Sequence, residues 1–186
     1  MREIYHRPVE GGSPIRDIDH PPIARLDAEK LIPLHPLFKK LSLLTVKELL
    51  VYCVLLRIKK GHTIYREGDS SNDTFYIILY GKILLHTAKL GAIGAVNTGD
   101  SLGEEGILEK KPKRLTTDLN EKSDSTSFLI KREEMATAEE DTYVLEFTQA
   151  VWEKVKDRLF KLHLSLDWFT LLNYLKRQWI QKKSWR

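Results

Sequence analysis

Gly61-His-Thr-Ile-Tyr-Arg-Glu-Gly-Asp69, followed by Thr74-Phe-Tyr-Ile-Ile-Leu-Tyr-Gly-Lys-Ile83, is the part of the sequence that decides the fold. The first segment has turn-forming glycines near both ends and alternating residues between them, which predicts a short strand. The second segment is rich in β-branched and aromatic residues on both sides of a single glycine, which predicts two more strands. We therefore expect a β-rich unit whose strands turn at Gly61, Gly68 and Gly81.

Length and composition place the chain among soluble globular proteins. Its 186 residues, 42% hydrophobic and 30% charged, suffice for one domain with a sizeable core. A formal charge of +4 is too small to predict a nucleic-acid partner by itself. The lone Cys53 excludes an intramolecular disulfide, and neither a membrane helix nor a signal peptide is evident in the sequence. These features predict a cytoplasmic protein without a membrane span.

The first third of the chain divides into an arm and a helical segment. Residues 1–30 contain four prolines and two glycines, which predicts an extended arm. After it, Asp27 and Thr45 are expected to cap two helices, with Glu48 completing a capping box for the second. The first strand is expected at residues 55–58. A later hairpin is expected within residues 84–96, with Lys89-Leu-Gly91 and Gly94 as candidate turns.

Two amphipathic helices are predicted at the carboxyl end. Thr148 is expected to cap the first, and the second is expected to begin at Asp167. The second helix carries an apolar stripe of Trp168, Leu171, Leu172, Leu175 and Trp179, and a basic flank of Lys176, Arg177, Lys182 and Lys183.

The glycine spacing and the hydrophobic strands between the glycines resemble the first half of the cyclic nucleotide-binding domain. This family includes bacterial catabolite activators, kinase regulatory subunits and cyclic-nucleotide-gated channels. The resemblance implies an α+β fold, an antiparallel β jelly-roll barrel with flanking helices. It would span residues 31–160, with an insertion at about 109–131 and a terminal lid or docking helix at 161–186.

The resemblance also implies a ligand site. In the family, a glycine-glutamate pair opens a short helix that faces the cyclic phosphate; the glutamate accepts from the ribose, and a later arginine neutralises the phosphate. The pair corresponds to Gly103-Glu104 here, and the arginine to Arg132, or to Arg114 with Lys113 in an alternative alignment. The ligand-binding residues implied are Gly103, Glu104, Glu105, Arg132 and Ala136.

Departures from the family pattern leave two functions open. Glu134 and Met135 stand where a small residue and a hydroxyl usually contact the phosphate, so a carboxylate would lie near an anion. The first hypothesis is a regulatory module that binds cAMP or cGMP weakly and needs no other cofactor. The second is a ligand-free scaffold subunit of a larger assembly, for example a cytoskeletal or ciliary one.

Partners follow from the same two hypotheses. In the scaffold reading, the terminal helix would dock a protein partner through Trp168, Leu172, Trp179 and Lys183. A nucleic-acid partner is not expected, because few residues remain after the lid to build a helix-turn-helix. An enzyme is not expected either, because the sequence shows no nucleophile motif, phosphate-binding loop or metal-ligand spacing.

Overall fold

The computed structural model of the protein describes residues 2–3, 28–71, 74–108 and 130–185. The helices are α1 (Ala28–Leu34), α2 (Leu43–Tyr52), α3 (Glu105–Leu108), α4 (Gln149–Lys161) and α5 (Ser165–Lys183). The strands are β1 (Arg2–Glu3), β2 (Val54–Ile58), β3 (Thr63–Tyr65), β4 (Thr74–Tyr80), β5 (Lys82–Thr87), β6 (Gly91–Asn97), β7 (Ser101–Leu102), β8 (Met135–Ala138) and β9 (Thr142–Thr148).

The strands form two sheets that pack face to face. One has the order β1-β2-β9-β4-β7 and the other β3-β8-β5-β6. All pairings are antiparallel except the short one between β1 and β2. This is the α+β fold expected from the sequence, with two sheets in a roll and helices before and after them.

Strand β4 separates two hydrophobic clusters. Its Phe75, Ile77 and Leu79 belong to the cluster beneath the helices, whereas Tyr76 and Ile78 belong to the cluster between the sheets. Successive side chains of a strand point to opposite faces, so a strand buried on both sides reads as a continuous apolar run. The long hydrophobic run of β4 therefore reflects its position at the centre of the molecule.

The strand predictions from the opening motif are confirmed. Strands lie at 54–58, 63–65, 74–80 and 82–87, and Gly61, Gly68 and Gly81 have φ of +80°, +85° and +102° at the turns between them. Gly94, predicted as a turn, lies instead inside β6, where the pairing with β5 shifts register.

Two helix starts also differ from the prediction, since α2 begins at Leu43 and α5 begins at Ser165 rather than at Asp167. Helix α2 begins earlier than expected, because Ser42 is its cap and accepts a hydrogen bond from the Thr45 backbone. Thr45 and the backbone of Ser42 instead donate to the Asp167 carboxylate, two residues inside α5. The predicted cap at Thr148 is confirmed. Asp27 lies outside the described residues.

Helix α5 crosses the molecule from one cluster to the other. Its first half buries Trp168 against Trp152 of α4, with ring centroids 4.4 Å apart. Just beyond its end, Trp185 packs against the cluster between the sheets. None of the helices in the described part of the chain combines the length and apolar character that a bilayer span requires.

Candidate functional site

The candidate site lies where strand β7 passes into helix α3. Gly103 makes the corner with φ of +77°, and Glu104 follows immediately before α3. A β-carbon at Gly103 would overlap the guanidinium of Arg132, so only glycine fits both the backbone conformation and this close approach. The corner thereby brings Arg132, from the start of the β8 segment, against the glycine-glutamate pair.

Arg132 is buried, and the protein itself supplies acceptors to its guanidinium. Nη1 donates to Glu105 Oε1 at 2.7 Å and to the carbonyl oxygen of Gly103 at 3.0 Å. Nη2 donates to the carbonyl oxygens of Ser71 at 2.8 Å and Thr74 at 2.6 Å. Burial acts to lower the pKa of Arg132, but Glu105, Tyr65 and Tyr76 together outweigh it, so the pKa is raised. The arginine therefore stays charged and ties three separate segments of the roll together.

Glu104 is fully buried and is held by two groups. One carboxylate oxygen accepts from the Ser101 hydroxyl at 2.5 Å, and the other forms an ion pair with Lys182 of α5. Lys182 Nζ also donates to the carbonyl oxygen of Ser101 at 2.8 Å. The end of α5 thus places an ammonium group on the carboxylate that the resemblance assigned to a ribose.

A third carboxyl group, that of Glu134, completes the cluster. The Tyr65 hydroxyl donates to it at 3.0 Å, and the ring of Tyr65 lies 4.4 Å from the Arg132 guanidinium carbon. Burial, followed by the nearby Glu105 carboxylate, raises the pKa of Glu134 to about 7. Burial and the surrounding carboxylates also raise the pKa of Tyr65, so its hydroxyl remains a donor.

The charge balance of this cluster does not favour an anion. The carboxyl groups of Glu104, Glu105 and Glu134 face the cations Arg132 and Lys182, and each of these residues is at most 3% exposed. Each cation pairs with a carboxylate, so no net positive charge remains for a phosphate.

The structure brings together four of the five residues predicted to bind a ligand: Gly103, Glu104, Glu105 and Arg132. The fifth, Ala136, is buried in β8 between Tyr65 and Leu85, in the core between the sheets. The alternative arginine site, Lys113 and Arg114, and most of the predicted insertion lie outside the described residues. Met135, expected near the phosphate, instead lines a separate recess of about 250 Å³ with Arg66 and His86 among its neighbours.

The residues predicted to dock a partner differ in how deeply they are buried. Trp168 is 5% exposed and packs inside the protein's own core, which corrects its assignment to a docking surface. Leu172 is half-buried against the same core, and Trp179 is half-buried with Lys183 4.2 Å from its ring centroid. The apolar stripe of α5 therefore stabilises the fold.

Three residues that contact the cluster were not predicted from the sequence: Ser101, Tyr65 and Lys182. Lys182 was assigned to the solvated basic flank, yet it is 3% exposed. A signal for its burial was present, because Lys182 lies two heptads after Trp168 and one after Leu175, on the buried face of the helix. Ser101 and Tyr65 carry no comparable signal.

Metal chemistry has no evident site here. Within the described ranges, no group of three or more histidine, cysteine, aspartate or glutamate side chains is arranged to hold a metal ion. The buried carboxylates of the cluster are bonded to a lysine, an arginine and a tyrosine instead.

Comparison with known proteins agrees with this fold. The sequence model of the family "Cyclic nucleotide-binding domain" matches residues 55–138. No curated protein sequence gives a significant match. A cyclic nucleotide-binding domain from Methylobacillus flagellatus is similar in structure, with a TM-score of 0.60, 16% identity and coverage of 84% of this chain and 82% of that chain.

Two regulators are also similar in structure. The Thermus thermophilus catabolite activator protein has a TM-score of 0.57 and 22% identity over 80% of this chain and 60% of its own. The c-di-GMP responsive global regulator CLP of Xanthomonas campestris has a TM-score of 0.53 and 18% identity over 77% and 60%. At these identities the likeness concerns the fold. The match to the family model is what places residues 55–138 in the cyclic nucleotide-binding domain family.

Proposed function

We propose that this chain is a non-catalytic regulatory module of the cyclic nucleotide-binding type that works without a cyclic nucleotide. Its ligand site is filled by the chain's own side chains, and its partners are proteins. The observation that carries this proposal is the Arg132 guanidinium, whose Nη1 and Nη2 donate to Glu105 and to three carbonyl oxygens of the fold.

The energetics of displacing Glu105 support the proposal. A phosphate on Arg132 would have to replace this carboxylate, which is 3% exposed, and would leave it buried without its cation. Breaking a buried ion pair in this way costs about 3–5 kcal/mol. A micromolar ligand has only about 8 kcal/mol of binding free energy, so this loss alone reduces its affinity to the millimolar range, and dislodging the end of α5 would weaken it further.

The ribose end of the site is closed by a different element. Lys182 forms an ion pair with the Glu104 carboxylate, and Trp185, whose backbone donates to the Lys182 carbonyl at 3.1 Å, packs on Gly94 of β6. A nucleotide would therefore have to dislodge the end of α5 as well as Glu105.

Isothermal titration calorimetry on the full chain tests the proposal, with a nucleotide-binding catabolite activator as the positive control. We expect no saturable heat with cAMP or cGMP at millimolar concentrations. Saturable micromolar binding of either nucleotide to the wild-type chain would overturn the proposal.

The intact Gly103-Glu104 pair favours a second function, a weak nucleotide sensor. In that case the nucleotide would displace Lys182 from Glu104 and release the end of α5. The same titration separates the two functions, because a sensor would give saturable heat and increased protease sensitivity of α5 when nucleotide is added.

A further inference from the structure

We infer that the pocket around Glu104 is a recognition site for a primary alkylammonium group, with Lys182 as its resident occupant. This inference depends on the proposed function in one respect, because it requires that no cyclic nucleotide competes for the site. The chemical class of ligand it assigns is a cation, the opposite charge to a cyclic phosphate.

The groups around Lys182 Nζ are hydrogen-bond acceptors arranged for a donor. The carbonyl oxygen of Ser101 accepts at 2.8 Å, and one oxygen of Glu104 accepts in the ion pair. The hydroxyl of Ser101 donates to the other oxygen of Glu104 at 2.5 Å, which fixes the orientation of the carboxylate. An ammonium group has three donors and no acceptor, so two of its donors satisfy these two acceptors.

The charges of the pocket select a cation. Without Lys182, Glu104 would be a fully buried carboxylate without its counter-ion, because Arg132, the other cation of the cluster, is engaged by Glu105. Burying an unpaired carboxylate is strongly unfavourable, and a nearby anion would increase the cost. An alkylammonium would restore the pair, whereas a phosphate would not.

Chemical rescue of the full chain carrying Lys182→Ala tests the inference. We expect this variant to melt several degrees below wild type, and n-butylammonium to restore the melting temperature with a saturable dose response. The matched control is Lys176→Ala, which removes an exposed lysine of the same helix and should show neither the loss nor the rescue. Neutral 1-butanol, which fills the same space without the charge, should not rescue Lys182→Ala.

Several results would overturn the inference. They are the absence of rescue, equal rescue by butanol, and micromolar binding of cAMP to Lys182→Ala alone. Binding of cAMP to wild type would instead overturn the proposed function, so the two failures are distinguishable. If Lys182→Ala does not fold, n-butylammonium is added during refolding, and failure to recover folded protein counts against the inference.

A second variant keeps the test independent of the loss of side-chain volume. Lys182→Met retains a long apolar stem but has no ammonium group. We expect it to melt below wild type and above Lys182→Ala. A Lys182→Met variant as stable as wild type would show that the pocket recognises the stem rather than the charge, and would overturn the inference.

Discussion

The two ends of the pocket are closed in different ways. At the Arg132 end, the acceptors are Glu105 and backbone carbonyls that belong to the roll itself. At the Glu104 end, the cation comes from Lys182, on a helix that joins the roll from the end of the chain. The first end can open only if the roll is disrupted, whereas the second can open if the last turns of α5 move away.

This difference between the two ends explains why the site favours a cation. The group that would neutralise a phosphate is a permanent part of the fold, so the anion-binding half is unavailable. The carboxylate half is held by a single side chain near the end of α5, so it is the half that a different ligand could reach. The other end of α5 is anchored separately, because Asp167 accepts from Ser42 and Thr45.

The largest expected effect comes from breaking the Arg132 end. Arg132→Leu should lower the free energy of unfolding by about 3–5 kcal/mol, because it leaves the Glu105 carboxylate buried without a partner. Urea unfolding measures this loss. The double variant Arg132→Leu with Glu105→Leu should recover part of the lost stability. If Arg132→Leu alone is nearly as stable as wild type, the proposed difference between the two ends is contradicted.

Glu134 should make stability depend on pH. Its pKa of about 7 in the folded protein lies above the ordinary value of 4.5. The stabilisation that protonated Glu134 contributes to the fold is therefore fully present below pH 4.5 and is lost as the pH rises through 7. The shift corresponds to at most about 3 kcal/mol.

Urea unfolding across this pH range, compared with Glu134→Gln, measures the contribution. We expect the stability of wild type relative to the variant to decline as the pH rises. A constant difference between the two proteins would show that the protonation of Glu134 is not coupled to folding.

A smaller and more local effect is expected at the Glu104 end. Lys182→Ala should cost about 1–3 kcal/mol, less than Arg132→Leu, because the last turns of α5 can move away and let water reach the Glu104 carboxylate. Amide hydrogen exchange should accelerate in the last two turns of α5, while the turn around Trp168 stays protected. Lys176→Ala is the control and should leave the exchange unchanged. Acceleration along the whole of α5 would contradict separate anchoring of its two ends.

The smallest effect is expected where Trp185 meets β6. A β-carbon at Gly94 would overlap the Trp185 ring, so Gly94→Ala should cost about 1 kcal/mol, at the low end for overpacking, because the ring is only partly buried and can shift. Thermal unfolding measures it. In a Trp185→Ala background the same substitution should be nearly neutral, and an equal cost in both backgrounds would show that the contact is not the cause.

The fold could be predicted from the sequence because local signals agreed with it. Turn glycines separated runs of β-branched and aromatic residues, and these patterns fixed the strands around residues 54–87. Gly94 was wrongly predicted to lie in a turn. The sequence alone does not show whether a glycine forms a turn or makes room in a strand for a side chain that packs on it. In this case that side chain is Trp185, far along the chain.

The candidate site could be predicted only in part. The Gly103-Glu104 pair has a local signature, but the partners of Glu104 do not. Lys182 lies 78 residues away and meets Glu104 only after α5 folds against the roll. Glu105 could not be recognised as the counter-ion of Arg132 from sequence, because 27 residues separate the two.

The most direct test of the account is an NMR spectrum of the lysine ammonium groups of the full chain near neutral pH. We predict one ammonium signal protected from exchange with water, absent in Lys182→Met and unchanged by millimolar cAMP. A spectrum without a protected ammonium, or one in which micromolar cAMP removes that signal, would contradict the claim that Lys182 occupies the site in place of a nucleotide.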